Sequence, residues 1–273
     1  MPIAVGNTGI SKIYVGSTEA DKVYLGNLEV FPKGTISAAL PSALSLPEGM
    51  TSHGGNLYIV NRANFSLWNI NPANPSDESG SFGQVGVFSR DLQGIRGIAS
   101  HAGSLYGADS NTLYLINPAN PGDESGSFGQ IGRLPSLADI SAGGGVVSHG
   151  GNLYLAARGS SGGLWNINPA NPGDTSGAFG RVGDLPARAR NTEGLISYSG
   201  ALYLVDGGSA GPGFRIKPGL WRINLSNPSD TSGQFGQVIE FPDTLDDPKG
   251  GAVHSDSVYV VGEDPDRLWR IGF

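Results

Sequence analysis

Cysteine is absent from this chain. That excludes disulfides, a thiolate nucleophile and any cysteine-based metal site, and it leaves the redox compartment open. Charge is sparse, at 15% of residues, and a basic excess is missing: the formal net charge is −7. Such a balance argues against a non-specific nucleic-acid binder or a protein held on anionic membranes. No stretch approaches the ~20 apolar residues of a membrane-spanning helix, so membrane insertion is not expected. The start, M-P-I-A-V-G-N-T-G-I-S-K, has no basic segment leading into an unbroken apolar run, and no signal peptide is expected there. Long apolar runs at helical spacing are also missing, which predicts almost no helix. What is plentiful is punctuation: 44 glycines and 18 prolines in 273 residues, the makings of many turns.

The punctuation is periodic. The stretch 66–88, S-L-W-N-I-N-P-A-N-P-S-D-E-S-G-S-F-G-Q-V-G-V-F, returns in close copies at 112–134, 163–185 and 219–241. A truncated fifth copy, R-L-W-R-I-G-F, occupies 267–273. Aligned on Leu67-Trp68, Leu113-Tyr114, Leu164-Trp165, Leu220-Trp221 and Leu268-Trp269, the copies recur at roughly fifty-residue intervals. Upstream of each lies a second shared element, such as G-V-V-S-H-G-G-N-L-Y at 145–154; downstream of the first four lies a third, F-G-Q-V-G-V-F at 82–88 and its variants. Each unit therefore offers four strand candidates. Strand a is short and built of small residues, b follows a tight turn, c carries the Leu-Trp pair, and d is the G-Q-V-G-V-F type.

Four antiparallel strands per unit, repeated, is the pattern of a β-propeller blade. Small residues on strand a suit a crowded centre. Adjacent Leu and Trp on strand c place a large apolar group on each sheet face, as a blade sandwiched between two neighbours requires. There are five a-b-c sets but only four d strands after them. The missing strand is predicted at the front, where 35–41 (T-I-S-A-A-L-P) matches 180–186 at its Leu-Pro. The expected fold is all-β: a five-bladed β-propeller over 35–273, closed by an N-terminal strand that removes a bare sheet edge. Residues 1–34 form a separate segment. Their internal echo, S-K-I-Y-V-G-S-T-E-A then D-K-V-Y-L-G-N-L-E-V, predicts a small β-hairpin or three-strand ribbon too small to be stable alone.

Two repeated features could be sites. The N-P-A-N-P-x-D-x-S-G loops carry Asp77, Asp123, Asp174 and Asp230, and oxygen donors at short spacing suit Ca²⁺. Turn chemistry explains the same residues without an ion, because Asn and Asp bond their own backbone and Gly takes positive φ. His53, His101, His149 and His254 align at the a-to-b turn, with Tyr198 in the fourth unit. They could make a pH-sensitive or metal-binding ring, or a turn residue multiplied by duplication. The simpler reading is preferred in both cases, and no metal or cofactor is expected.

The copies disagree most in the d-to-a and b-to-c links, which emerge on one propeller face, opposite the histidines. Scaffold stays alike while binding loops vary. This face supplies the candidate ligand-binding residues Arg62, Phe65, Arg96, Arg158, Arg190, Glu193, Phe214, Arg215 and Lys217. Aromatic surface beside charged hydrogen-bonding groups suits a sugar or a carboxylate. Catalysis is not expected: the a strands, read as G-M-T-S and its copies, hold no acid, an acid pair would have to come from loops such as Glu193 with Asp246, and no catalytic triad, H-E-x-x-H or phosphate loop is present. The chain is therefore read as not an enzyme.

Residues 35–273 resemble five-bladed propellers of the lectin type in blade count and repeat length, without the signatures of WD40 or kelch. Residues 11–31 resemble N-terminal segments of tailed-bacteriophage structural proteins, in which K-[IV]-Y-[VL]-G-[SN] repeats, here Lys12–Ser17 and Lys22–Asn27, precede a fibre, spike or decoration domain. The resemblance implies a virion protein. Residues 1–34, through Ile13, Tyr14, Val15, Val23, Tyr24 and Leu25, would dock to other virion proteins, with the chain oligomeric on the particle. The propeller would face outward to bind a host surface glycan or cover the particle. A soluble extracellular bacterial lectin is the alternative, and a propeller glycosidase a third.

Overall fold

The structure is a computed structural model that describes residues 14–15, 18–19, 23–25, 28–31, 36–135, 144–157, 163–189, 191–211, 214–245, 247–263 and 266–272; side chains of 14–31, 36, 209–211, 214 and 215 are outside the description. Five four-stranded antiparallel sheets stand as blades around one axis. Blade 1 runs Pro47–His53, Asn56–Asn61, Ser66–Ile70 and Gly83–Val87. Blade 2 runs Gly97–His101, Ser104–Ala108, Thr112–Ile116 and Gly129–Arg133. Blade 3 runs Gly144–His149, Asn152–Ala157, Gly163–Ile167 and Gly180–Asp184. Blade 4 runs Thr192–Tyr198, Ala201–Asp206, Gly219–Ile223 and Gly236–Glu240. Blade 5 takes Pro248–His254, Ser257–Glu263 and Asp266–Ile271 from the end of the described chain. Its outer strand is Ile36–Ala39 from the front, paired from Arg267↔Ala39 to Arg270↔Ile36. The predicted closure is thus present, over the predicted residues.

The core is five slabs, one between each pair of neighbouring blades. Every slab joins the strand-c Leu of one blade to the strand-c aromatic of the next. Leu67 packs in the cluster of Tyr114, Leu113 in that of Trp165, Leu164 in that of Trp221, Leu220 in that of Trp269, and Leu268 in that of Trp68. Adjacent residues of a strand face opposite sides, so the dipeptide stitches each blade to both neighbours.

Around the axis Gly49, Gly97, Gly145, Gly194 and Gly250 form a closed ring. A Cβ on Gly145 would lie 2.6 Å from Gly194 Cα, and one on Gly194 3.0 Å from Gly250 Cα. The innermost strands approach too closely for any side chain there. Ahead of the ring, the echo region differs from the expected ribbon. Tyr14–Val15 pairs with Thr18–Glu19, and Val23–Leu25 pairs with Leu28–Phe31, as two separate ladders. Each echo pairs within itself, as a hairpin with strands of two to four residues. Ile13 lies outside the described residues, and of the other candidate docking residues only the backbone is described.

Candidate functional site

The link face opens onto the axis through the residue just before each ring glycine. These are Glu48, Arg96, Gly144, Glu193 and Lys249, so both charge signs alternate around the mouth. Strand a starts one residue before these in blades 1, 4 and 5, two positions earlier than the small-residue pattern implies. The expected acid-free inner strands are therefore corrected: Glu48 and Glu193 both lie on them. The first turns of these strands are Pro-Glu, Thr-Glu and Pro-Lys, which do not look like the repeat core and hide the true start.

At the mouth, Lys249 Nζ reaches Asp247 Oδ1 at 2.9 Å and Glu263 Oε2 at 3.0 Å. Burial pulls the ammonium's pKa down, but its hydrogen bonds to Asp247 and Glu263 and the charge of Glu193 push it above the ordinary lysine value. Glu48 Oε1 accepts from Arg62 Nη1 at 3.3 Å and lies 3.5 Å from Arg96 Nη1. Burial dominates at Glu48, raising its carboxyl despite the attraction of Arg96, Arg62 and Lys249.

Beside this cluster, between blades 1 and 2, lies a cleft of about 490 Å³, within the size range of small-ligand sites. Leu46, Ala63, Phe65, Gln93, Gly94 and Ile95 line it together with the two arginines. Leu46 and Phe65, each 36% exposed, are two of the four large apolar side chains most open to solvent among the described residues. The wall is built rigidly. Fully buried Asn61 accepts from Leu46 N (3.3 Å) and Ala63 N (3.1 Å) and donates to Ala43 O (2.9 Å). Arg62 N donates to Leu46 O at 2.9 Å, Phe88 N to Phe65 O at 2.7 Å, and Arg96 N to Ala108 O at 3.0 Å. Phe65 has φ 52°, and among the described non-glycine residues with positive φ it alone lies outside an a–b hairpin. Holding a bulky residue there costs on the order of 1 kcal/mol or more.

Of the predicted ligand residues, the structure brings Arg62, Phe65 and Arg96 together. Glu193 stands at the axial mouth on the blade 4 side, buried. Lys217 is on the outer rim, 3.3 Å from Asp243 and 3.9 Å from Glu240, away from the cleft. Phe214 and Arg215 lie on a small excursion where Ser209–Gly211 pairs with Phe214–Ile216. Arg158, Arg190 and Asp246 lie outside the described residues. Sequence reasoning missed Leu46, Glu48, Gln93, Ile95 and Lys249. The charged residue before each aligned glycine was a readable signal for Glu48 and Lys249; nothing marked Leu46 or Gln93. Four of the five d-to-a links are also less free than their variability suggests, because they bury apolar plugs: Leu44, Leu92 with Ile95, Ala189 and Leu245.

The opposite face holds the histidines, at the ends of strand a rather than in the turn. His53 Nδ1 bonds Ser100 Oγ (2.9 Å), His101 bonds Ser148 (2.9 Å), His149 bonds Ser197 (2.8 Å) and His254 bonds Ser52 (3.0 Å). Each pair ties one blade to the next. The fifth interface has Val253 where the serine should be, and there the histidine is replaced by Tyr198, packed with Val253 in one apolar cluster. The loop aspartates serve turns. Asp77 Oδ1 accepts from Ser79 N (3.0 Å) and Ser79 Oγ (2.6 Å), and Oδ2 accepts from Asn71 Nδ2 (3.2 Å). The other three loops repeat this. Among the described residues no group of three or more His, Asp or Glu is placed to hold a metal ion.

No protein-family model and no curated protein matches the sequence. Solved structures do share the fold. The PQQ-bound aldose sugar dehydrogenase of Streptomyces coelicolor is 18% identical, with a TM-score of 0.54 over 89% of this chain and 82% of that one. The glutaminyl cyclase of Myxococcus xanthus is 16% identical, with a TM-score of 0.53 over 86% of this chain and 93% of that one. A carbohydrate-active enzyme of family AA12 from Trichoderma reesei is 11% identical, with a TM-score of 0.52 over 84% and 76%. At these identities the likeness shows the propeller fold alone. It nevertheless overturns the expectation that the chain is not an enzyme. The three propellers named above are enzymes, and the premise of acid-free inner strands fails at Glu48 and Glu193.

Proposed function

We propose that this chain is a ligand-binding propeller, carried on a bacteriophage particle by residues 1–34 and turned outward to a host surface glycan. One observation carries the binding half: the face on which the repeats diverge holds a preorganised cleft with arginine and exposed aromatic surface, whereas the opposite face repeats the same His–Ser pairs and turn loops. Divergence confined to one face of a repeated scaffold fits a surface selected for recognition. The docking half is supported by the two short N-terminal ladders, since isolated two-stranded hairpins are marginal in water and gain from a partner, and by the resemblance of residues 11–31 to phage structural segments.

The test compares the full chain with one lacking residues 1–31, which retains the closing strand. Sedimentation with phage particles should be lost on deletion, while binding to host cells or immobilised glycans persists. Retention on particles without residues 1–31 overturns the docking assignment. Glycan binding with no particle association in either form supports instead a free extracellular lectin.

Glu48 favours a second reading, acid–base catalysis at the axial mouth. Burial raises the Glu48 carboxyl above the ordinary glutamate value, the direction a general acid requires, and Glu193 supplies a second acid at the same mouth. Release of reducing ends from an acidic polysaccharide, abolished by Glu48→Gln, checks this reading.

A further inference from the structure

We infer that the cleft between blades 1 and 2 is a subsite for an acidic sugar, with its carboxylate on Arg62 and Arg96 and the apolar face of its ring on Phe65. This inference rests on the ligand-binding reading above and names its ligand class and location.

Charge comes first. Two guanidinium groups from different blades converge on the single carboxylate of Glu48. Counted by themselves, these three side chains carry one net positive charge, with Asp109 behind Gly94 as the nearest further acid in the cleft wall. Glu48 is the innermost of the three, its side chain 15% exposed against 50% for Arg62 and 25% for Arg96. The cations therefore sit between the acid and the cleft, their remaining N–H groups free to turn outward. A planar guanidinium presents a fork of donors that matches a carboxylate with two parallel bonds.

Shape comes second. Exposed Phe65 and Leu46 give the cleft apolar surface, over a floor containing buried Ile95. Sugar rings have an apolar C–H face, and an exposed aromatic ring is a fitting platform for it. Gln93 adds an amide able to donate to and accept from hydroxyls. A flat hydrocarbon acid would leave Gln93 idle, and a neutral sugar would leave the arginines unsatisfied.

Rigidity comes third. Three hydrogen bonds of buried Asn61, and that of Phe88 N to Phe65 O, fix the backbone of the loop. Phe65 is held at φ 52° with about a third of its surface open to solvent. Preorganisation of this kind lowers the ordering cost of binding.

The experiment uses the full chain on an array of uronic-acid, sialic-acid, sulfated and neutral glycans, followed by titration of the best binder. Carboxylated glycans should bind, and reduction of the carboxyl to an alcohol should weaken binding about tenfold or more. Phe65→Gly is the informative variant, since glycine adopts φ 52° without strain, which offsets part of the packing lost with the ring. It should raise Kd about tenfold, as should Arg62→Gln. Unchanged affinity in both variants, with wild type still binding carboxylated glycans, overturns this site but not the ligand-binding reading. Preference for sulfated over carboxylated glycans overturns the ligand class. A wild type that binds no glycan overturns the reading and the subsite together.

Discussion

At the scale of single residues, this protein is governed by what its glycines leave room for. The axial glycines admit no Cβ, so Gly145→Ala should cost about 1–3 kcal/mol through overpacking against Gly194, measured as a fall in the denaturant midpoint. A second glycine position shows the same logic from the outside. On strand d, a Cβ on Gly86, Gly132 or Gly183 would meet Cδ of Pro121, Pro172 or Pro228, the loop prolines of the next blade, at 2.9, 3.1 and 2.9 Å. Blade 5 has no such loop between its strands c and d, and the matching residue in blade 4 is Ile239. Glu48 is the residue whose charge state has a direction to test. Its folded pKa is raised by burial. Its contribution to stability is therefore full below the ordinary glutamate value and lost as pH rises through the folded one. Melting curves from roughly pH 4 to 7 should show wild type losing stability relative to Glu48→Gln as pH increases.

At the scale of elements, the contacts between blades follow a pairing rule that the repeats make testable. A histidine ends strand a wherever the next blade supplies a serine, and Tyr198 stands where it supplies Val253. Tyr198→His with Val253→Ser should install the fifth pair. A double-mutant cycle on thermal unfolding should return a favourable coupling of about 0.5–1.5 kcal/mol, whereas Tyr198→His alone destabilises. The c–d loops have a signature of their own. Hydrogen bonds from the Ser79 hydroxyl, the Ser79 amide and Asn71 hold the Asp77 carboxyl below its usual range, and Asp123, Asp174 and Asp230 are held likewise. The stability they supply is present above the ordinary aspartate pKa and lost as pH falls through the depressed folded values. Acid unfolding followed by circular dichroism should be less steep in a chain with Asp77, Asp123, Asp174 and Asp230 all changed to Asn. One strand differs from its counterparts. Blades 1–4 carry a bulge between strands c and d at the Leu-aromatic pair, and the closing strand of blade 5 pairs without one. A strand arriving from the other end of the chain has no short loop to set its register.

At the scale of the whole molecule, stability depends on the ring being shut. Removing residues 36–40 would bare the edge of Arg267–Arg270 and expose Leu40, which is buried between blades 5 and 1. The loss should reach at least about 3 kcal/mol, from apolar burial and ladder hydrogen bonds together. The opened form should also aggregate through the free edge, which light scattering at equal concentration would report.

Blade number, strand order, closure and the role of each Leu-aromatic pair were written in the repeats, because a unit that must bury both faces carries that demand locally, in adjacent residues. The turn role of the loop aspartates was legible for the same reason, since an Asx turn closes within a few residues. The cleft was legible only in part: divergence of the links marked Arg62, Phe65 and Arg96 but not that they meet, nor Leu46 and Gln93 beside them. Leu46, Arg62, Phe65, Gln93 and Arg96 come from three links on two blades, and no local pattern relates them. Only packing blade 1 against blade 2 gathers two guanidinium groups on Glu48 beside an exposed ring, and only the closeness of five strands at the axis turns the residue before each glycine into a charged rim. Local hydrogen bonding and periodicity are properties of neighbouring residues, whereas a site is a property of distances between residues far apart in the chain, and those distances exist only once the ring has formed.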